Sequence, residues 1–154
     1  MSPGQETTAE DAGGSLGIER RIEAPAAAVA SYISDFRNAK EWMVSVENVE
    51  HLGGEDYRFR VDSPIGKLEP EVRVTERRED STSWVYTSKI EGSGRVDVTP
   101  AGDEGCTVAY SGEFRLKGRL ANRAARMVGL ERFARKNGER SLSRLKSLLE
   151  ARRY

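Results

Sequence analysis

The chain has 154 residues, 37% of them hydrophobic, with 25 basic and 25 acidic side chains and one histidine. That length suits a single core. No segment approaches the roughly 20 consecutive apolar residues of a membrane span, and the N-terminus lacks a secretory signal's charged start and apolar core, so a soluble, cytoplasmic protein is expected. A lone Cys106 excludes an internal disulfide, and without a second thiol or a histidine cluster neither a metal nor a cofactor is expected.

Met1 to Ser15 is rich in Gly, Ser, Thr, Glu and Ala, which predicts a disordered tail ahead of one domain over 16–154. Leu16 to Glu23 alternates Leu16, Ile18 and Ile22 against Gly17, Glu19 and Arg21, a half-buried strand with Arg20 out of pattern. Pro25 then opens a short helix ending near Ser34, and Asp35 is placed to cap a second short turn leading toward Trp42.

From Val44 to Phe114 the chain changes to short alternating runs separated by turn residues, the texture of an antiparallel meander. Six strands are predicted, at Val44 to Leu52, Asp56 to Asp62, Lys67 to Glu79, Thr82 to Ile90, Gly94 to Pro100 and Cys106 to Leu116. Tyr57, Phe59, Val61, Val72, Val74, Trp84, Tyr86, Val108 and Tyr110 fall on one face, with polar neighbours on the other. Cys106 reads as a small buried strand residue.

Residues 119 to 152 read as one long helix. Leu120, Ala124, Met127, Ala134, Leu142, Leu145 and Leu149 share a face on a 3.6-residue period, as do Glu131 and Gly138. A carboxylate on a buried stripe is costly unless paired or wet, and a glycine there suggests unfilled space, so a cavity is expected. From Lys117 onward there are twelve basic and three acidic residues, against an acidic remainder. The apolar sheet face needs a cover, and this helix is the only long element with a matching stripe.

The run Ile18-Glu-Arg-Arg-Ile-Glu-Ala-Pro-Ala-Ala-Ala-Val-Ala-Ser-Tyr-Ile-Ser-Asp35, followed by Trp42 and Val44 to Val49, resembles the opening of the polyketide cyclase/dehydrase and lipid-transport (SRPBCC) branch of the START-like superfamily. Gly94-Arg-Val-Asp-Val-Thr-Pro100 and Cys106-Thr-Val-Ala-Tyr110 resemble the two strands that usually precede its last helix. The resemblance spans about 17–149. It implies an α+β helix-grip fold: a seven-stranded curved antiparallel sheet around a long C-terminal helix, with two short helices after the first strand. It also implies a deep pocket for a hydrophobic small molecule, without implying a reaction.

Trp42, Tyr57, Phe59, Trp84, Tyr86, Tyr110, Met127, Glu131, Ala134 and Gly138 are the candidate ligand-binding residues, and each also has a core-packing reading. Glu131 is the candidate catalytic group: desolvation inside a cavity would raise its pKa toward that of a proton shuttle. Its alternative is an ion pair with Arg20, Arg95, Arg115 or Arg135. Glu76 and Glu113 could point inward, depending on register. His51, at a turn, reads as solvated, and Gly92-Ser-Gly94 lacks the spacing of a phosphate loop.

The leading expectation is a carrier of a lipid, quinone, isoprenoid or polyketide-like molecule. A cyclase or dehydratase using Glu131 is the alternative. A third is an adaptor whose Arg119, Arg123, Arg126, Lys136, Arg140 and Arg144 meet an anionic membrane surface or an acidic partner. Nucleic acid is not expected, because only Phe133 and Tyr154 are interleaved among these cations. Oligomeric state is left open.

Overall fold

The computed structural model describes residues 13–64, 66–88, 90–116 and 123–152, excepting the side chains of 13, 14, 116 and 123–128. Strand β1 (Gly13–Ile22) is followed by α1 (Ala26–Ser34), a 3₁₀ turn (Phe36–Asn38) and α2 (Ala39–Trp42). Then come β2 (Val46–Gly53), β3 (Asp56–Ser63), β4 (Gly66–Leu68), β5 (Glu71–Arg77), β6 (Ser81–Tyr86), β7 (Ile90–Pro100), β8 (Cys106–Leu116) and α3 (Arg123–Glu150). The sheet runs β1-β8-β7-β6-β5-β3-β2, antiparallel throughout, and β4 pairs with β3 off this path. This is the helix-grip architecture, with seven strands in the path and a short eighth beside it.

Local chemistry explains the opening. The Pro25 carbonyl accepts the Val29 N–H at 3.0 Å to start α1, and the Asp35 carboxylate accepts the Arg37 N–H at 3.0 Å to start the 3₁₀ turn. Tyr32 then donates to Glu41 at 2.6 Å, and the Arg152 guanidinium lies 4.8 Å from the Tyr32 ring centre, tying the end of the chain to α1.

Several boundaries differ from the sequence reading, three of them in ways that shape the sheet. Strand β1 begins at Gly13, where Gly13 to Ser15 pair with Arg115 to Glu113, so the strand takes in the last residues of the segment read as tail. The run Lys67 to Glu79 divides into β4 and β5 because Pro70 has no N–H for the ladder, while its carbonyl accepts the Phe59 N–H at 2.9 Å. Glu91-Gly92-Ser93, which falls between the predicted strands Thr82 to Ile90 and Gly94 to Pro100, lies within β7, and the reversal sits just after Tyr86. Gly92 has φ 136°, and a Cβ there would lie 2.0 Å from the Glu113 carbonyl oxygen, so the strand crosses β8 too closely for any side chain.

The alternation places the expected residues inside. Leu16, Gly112, Gly94, Trp84 and Val74 stand side by side across five strands, and the indole of Trp84 occupies the room left over Gly94. Helix α3 packs chiefly along β1 and also reaches β8 and α2. Leu142, Leu145 and Leu149 are fully buried against Ile22, Val29, Val96, Cys106 and Val108, so this end of the interior is solid. Each such leucine contributes on the order of 2 kcal/mol of burial.

Candidate functional site

The other end of the interior is only partly filled: Leu130 is buried there and packs against Leu68, Ile90 and Phe114. Beneath the N-terminal half of α3 lies a cavity of about 150 Å³, roofed by Leu130, Phe133 and Ala134 and walled by Leu16, Val61, Leu68, Pro70, Ile90 and Phe114. Its polar groups are the phenols of Tyr86 and Tyr110, with Ser93, Gly112 and Glu113 on the border. By alternation Glu113 belongs with Ser93 on the convex face, and it is exposed. Apolar cavities of about this volume hold a benzene-sized ring.

The two phenols have distinct surroundings. Burial pushes the Tyr86 phenol up from its ordinary value, and hydrogen bonding with Trp84 and Tyr110 pulls it back. Burial raises Tyr110 well above 10.0, reinforced by the neighbouring Tyr86 and by the hydrogen bond between them. Both rings therefore stay protonated at neutral pH and meet a ligand as neutral hydroxyls. A Cβ at Gly112 would lie 3.2 Å from the Ser93 carbonyl oxygen and 3.5 Å from the Tyr110 hydroxyl, so the close approach at this glycine is to the β7 backbone, with the phenol in ordinary contact.

Of the ten residues expected to meet a ligand, Tyr86, Tyr110 and Ala134 border this cavity. Trp42, Phe59 and Trp84 are buried in the main core instead. There Phe36 packs edge-on against both Phe59 and Trp84, with ring centres 5.7 Å and 5.8 Å away. Tyr57 closes the aromatic cluster from the other side, its ring 5.2 Å from Phe36 and stacked 4.9 Å from His51, its hydroxyl accepting from Arg77 at 3.4 Å. Met127 lies outside the described side chains.

Glu131 and Gly138 correct the cavity argument itself. Glu131 is half-buried but does not border the cavity, and no ion pair joins it to Arg20, Arg95, Arg115 or Arg135 among the described residues. Leu130, one residue earlier, takes the inward position, because a 3.6-residue period lets adjacent positions compete for one stripe. Gly138 leaves no void: a Cβ there would lie 2.6 Å from the Ile18 Cδ1, so the space over the glycine is already taken by a side chain of β1.

Glu76 also faces outward, 3.2 Å from Arg78 and 3.8 Å from Arg95, after a bulge between Val74 and Glu76. His51 is exposed, with Nε2 2.7 Å from the Gly54 carbonyl. Cys106 is fully buried, and burial pushes its thiol up. Sequence reasoning missed Leu130, Phe133, Phe114 and Ile90. The signal for Phe114 was present, since it shares strand parity with Tyr110 and Gly112. No group of three or more metal-ligating side chains occurs among the described residues. No helix among them is long and apolar enough to cross a membrane.

The sequence pattern of the family described as Polyketide cyclase / dehydrase and lipid transport matches residues 15–150. The fold is similar to the Zhui aromatase/cyclase from Streptomyces sp. R1128, with a TM-score of 0.78 at 15% identity over 91% of this chain and 95% of that one. A START superfamily protein from Mycobacterium smegmatis is similar at TM-score 0.74 and 15% identity, over 89% and 97% of the two chains. A conserved protein from Geobacillus kaustophilus follows at 0.72 and 17%, over 90% and 95%. No curated protein matches the chain.

Proposed function

The chain belongs to the polyketide cyclase / dehydrase and lipid-transport family, and on that premise we propose that it binds an uncharged hydrophobic small molecule beneath Leu130, Phe133 and Ala134. The observation that supports this reading is a hollow, apolar end of the interior whose polar contacts are two neutral phenols. Such a lining suits a ring or a short isoprenoid- or polyketide-like segment carrying a carbonyl or hydroxyl. A carboxylate would lose its hydration there and find no cation among the described lining residues.

Native mass spectrometry of protein purified from its own host tests the reading. A retained small molecule is expected, lost when Ala134→Phe fills the cavity while the thermal midpoint holds. Retention unaffected by Ala134→Phe, or an absence of both a retained molecule and binding of an apolar fluorescent probe, would overturn it.

A cyclase-type enzyme is the second reading, favoured by the pair of protonated hydroxyls that an enolising carbonyl would meet at the cavity floor. Turnover that falls in Tyr110→Phe while binding persists would select it over simple carriage.

A further inference from the structure

Arg20 stands apart from every other arginine on a described strand: each of the others has a carboxylate within 4.0 Å, and Arg20 has none among the described residues. It also occupies an inward position of β1, between Ile18 and Ile22, on the strand edge along which α3 packs. Half-buried there, its Nη2 donates to Ser143 Oγ at 2.6 Å. A guanidinium drawn out of water toward a neutral hydroxyl gives up hydration without gaining a counter-charge. That arrangement is explained if an anion completes it.

The surroundings are built for one. Arg140 and Arg144, one turn apart on α3, open with Arg20 and Ser143 onto a groove of about 400 Å³, and among the described residues neither has a carboxylate within 4.0 Å. Glu139 is the one acid on its border, and it approaches none of the three that closely. The far wall, at Val44, is held in place: its N–H donates to the buried Ser141 Oγ at 2.9 Å. Three arginines and a serine lining one opening offer the N–H and O–H donors that a tetrahedral oxyanion accepts.

We propose that the groove formed by Arg20, Arg140, Ser143 and Arg144 binds a phosphate group, carried by a soluble phosphate ester or by the headgroup of an anionic phospholipid. The groove is distinct from the ligand cavity, six residues and about 9 Å further along the helix. It stands whether or not that cavity is occupied.

Titration of the full chain with inorganic phosphate, followed by arginine side-chain NMR at constant ionic strength, tests the soluble form. Sedimentation with vesicles of phosphatidylglycerol in phosphatidylcholine, against phosphatidylcholine alone, tests the headgroup form. Saturable phosphate binding weakened about tenfold or more in both Arg20→Gln and Arg144→Gln is expected for a soluble ester. Vesicle binding weakened to the same degree by those variants, without free-phosphate saturation, assigns the headgroup. Lys136→Gln, an exposed cation of the same helix outside the groove, should change either by no more than about twofold. Arg144 is exposed, so its variant reads out binding even if Arg20→Gln alters folding. Binding by neither probe, or equal losses in Lys136→Gln and Arg144→Gln, would overturn the proposal.

Discussion

The indole of Trp84 rests directly on Gly94: a Cβ at that glycine would lie 2.4 Å from the ring carbons Cε2 and Cζ2. The same indole stands 6.0 Å from the Tyr110 ring and 5.8 Å from that of Phe36, so it joins the solid and hollow parts of the interior. Gly94→Ala should therefore push the ring into both neighbours and cost about 1–3 kcal/mol, an overpacking penalty. Chemical denaturation checks the size, and near-ultraviolet circular dichroism should show the tryptophan environment changed. An unaltered midpoint would mean that the ring can move aside freely.

Gly138 presents a milder contact, since the atom a Cβ would meet is the tip of the flexible Ile18 side chain. Replacing glycine by alanine inside a helix gains about 1 kcal/mol, which offsets the displacement of that methyl. Gly138→Ala should lie within about 1 kcal/mol of the parent, and in an Ile18→Val background, where the tip is removed, it should be stabilising. Thermal or urea unfolding of the four chains closes this double-mutant cycle.

Ser45 holds φ 77° between α2 and β2, a left-handed conformation that a side chain disfavours. Its carbonyl accepts the Asp62 N–H at 2.9 Å, which keeps the backbone there. Ser45→Gly should stabilise by about 1 kcal/mol, the relieved strain exceeding the entropy glycine adds to the unfolded chain. A lower unfolding midpoint would show that the serine hydroxyl matters more than its backbone.

The pH profile should fall on the alkaline side. Tyr110 and Tyr86 both have folded values raised above the ordinary 10.0, so the folded state holds their protons more tightly than the unfolded chain does. Their contribution is complete below pH 10 and is lost as pH rises above it. Tyr110→Phe should flatten that limb of the stability curve. On the acid side the Arg37 guanidinium beside Asp35 holds its carboxyl below the usual 3.8. That contribution is present above 3.8 and lost as pH falls past it, and it is small because the pair is largely exposed.

Glu131→Gln should leave ligand retention, and any turnover, within about twofold of the parent, as expected for a half-exposed side chain outside the cavity. A loss of turnover with binding intact would return the carboxylate to a catalytic role.

The fate of Glu131 shows what patterning conveys and where it stops. Strand alternation placed Tyr57, Phe59, Trp84, Tyr86 and Tyr110 on one face because a period of two leaves only two choices. The succession of strand, short helices, meander and long helix was legible for the same reason, with the break at Pro70 overlooked although proline announces it. Which inward residues border empty space was not legible. Trp84 and Tyr86 differ by one step of alternation, yet the first is sealed by Phe36 and Gly94 while the second borders the cavity. That distinction depends on three-dimensional contacts between distant segments. Likewise Leu130 and Glu131 are adjacent on a helix, and only its rotation against the sheet decides between them.

The division of the interior has an evolutionary consequence. Cohesion rests on the leucines from 142 to 149 and their partners across the sheet, whereas Leu130, Phe133, Ile90 and Phe114 shape what is enclosed. Because Leu130 itself packs against Ile90 and Phe114, substitutions there trade the packing of a small cluster against the shape of the enclosed space, so descendants of one such scaffold can vary that space at the expense of a few contacts and leave the leucine-anchored half in place.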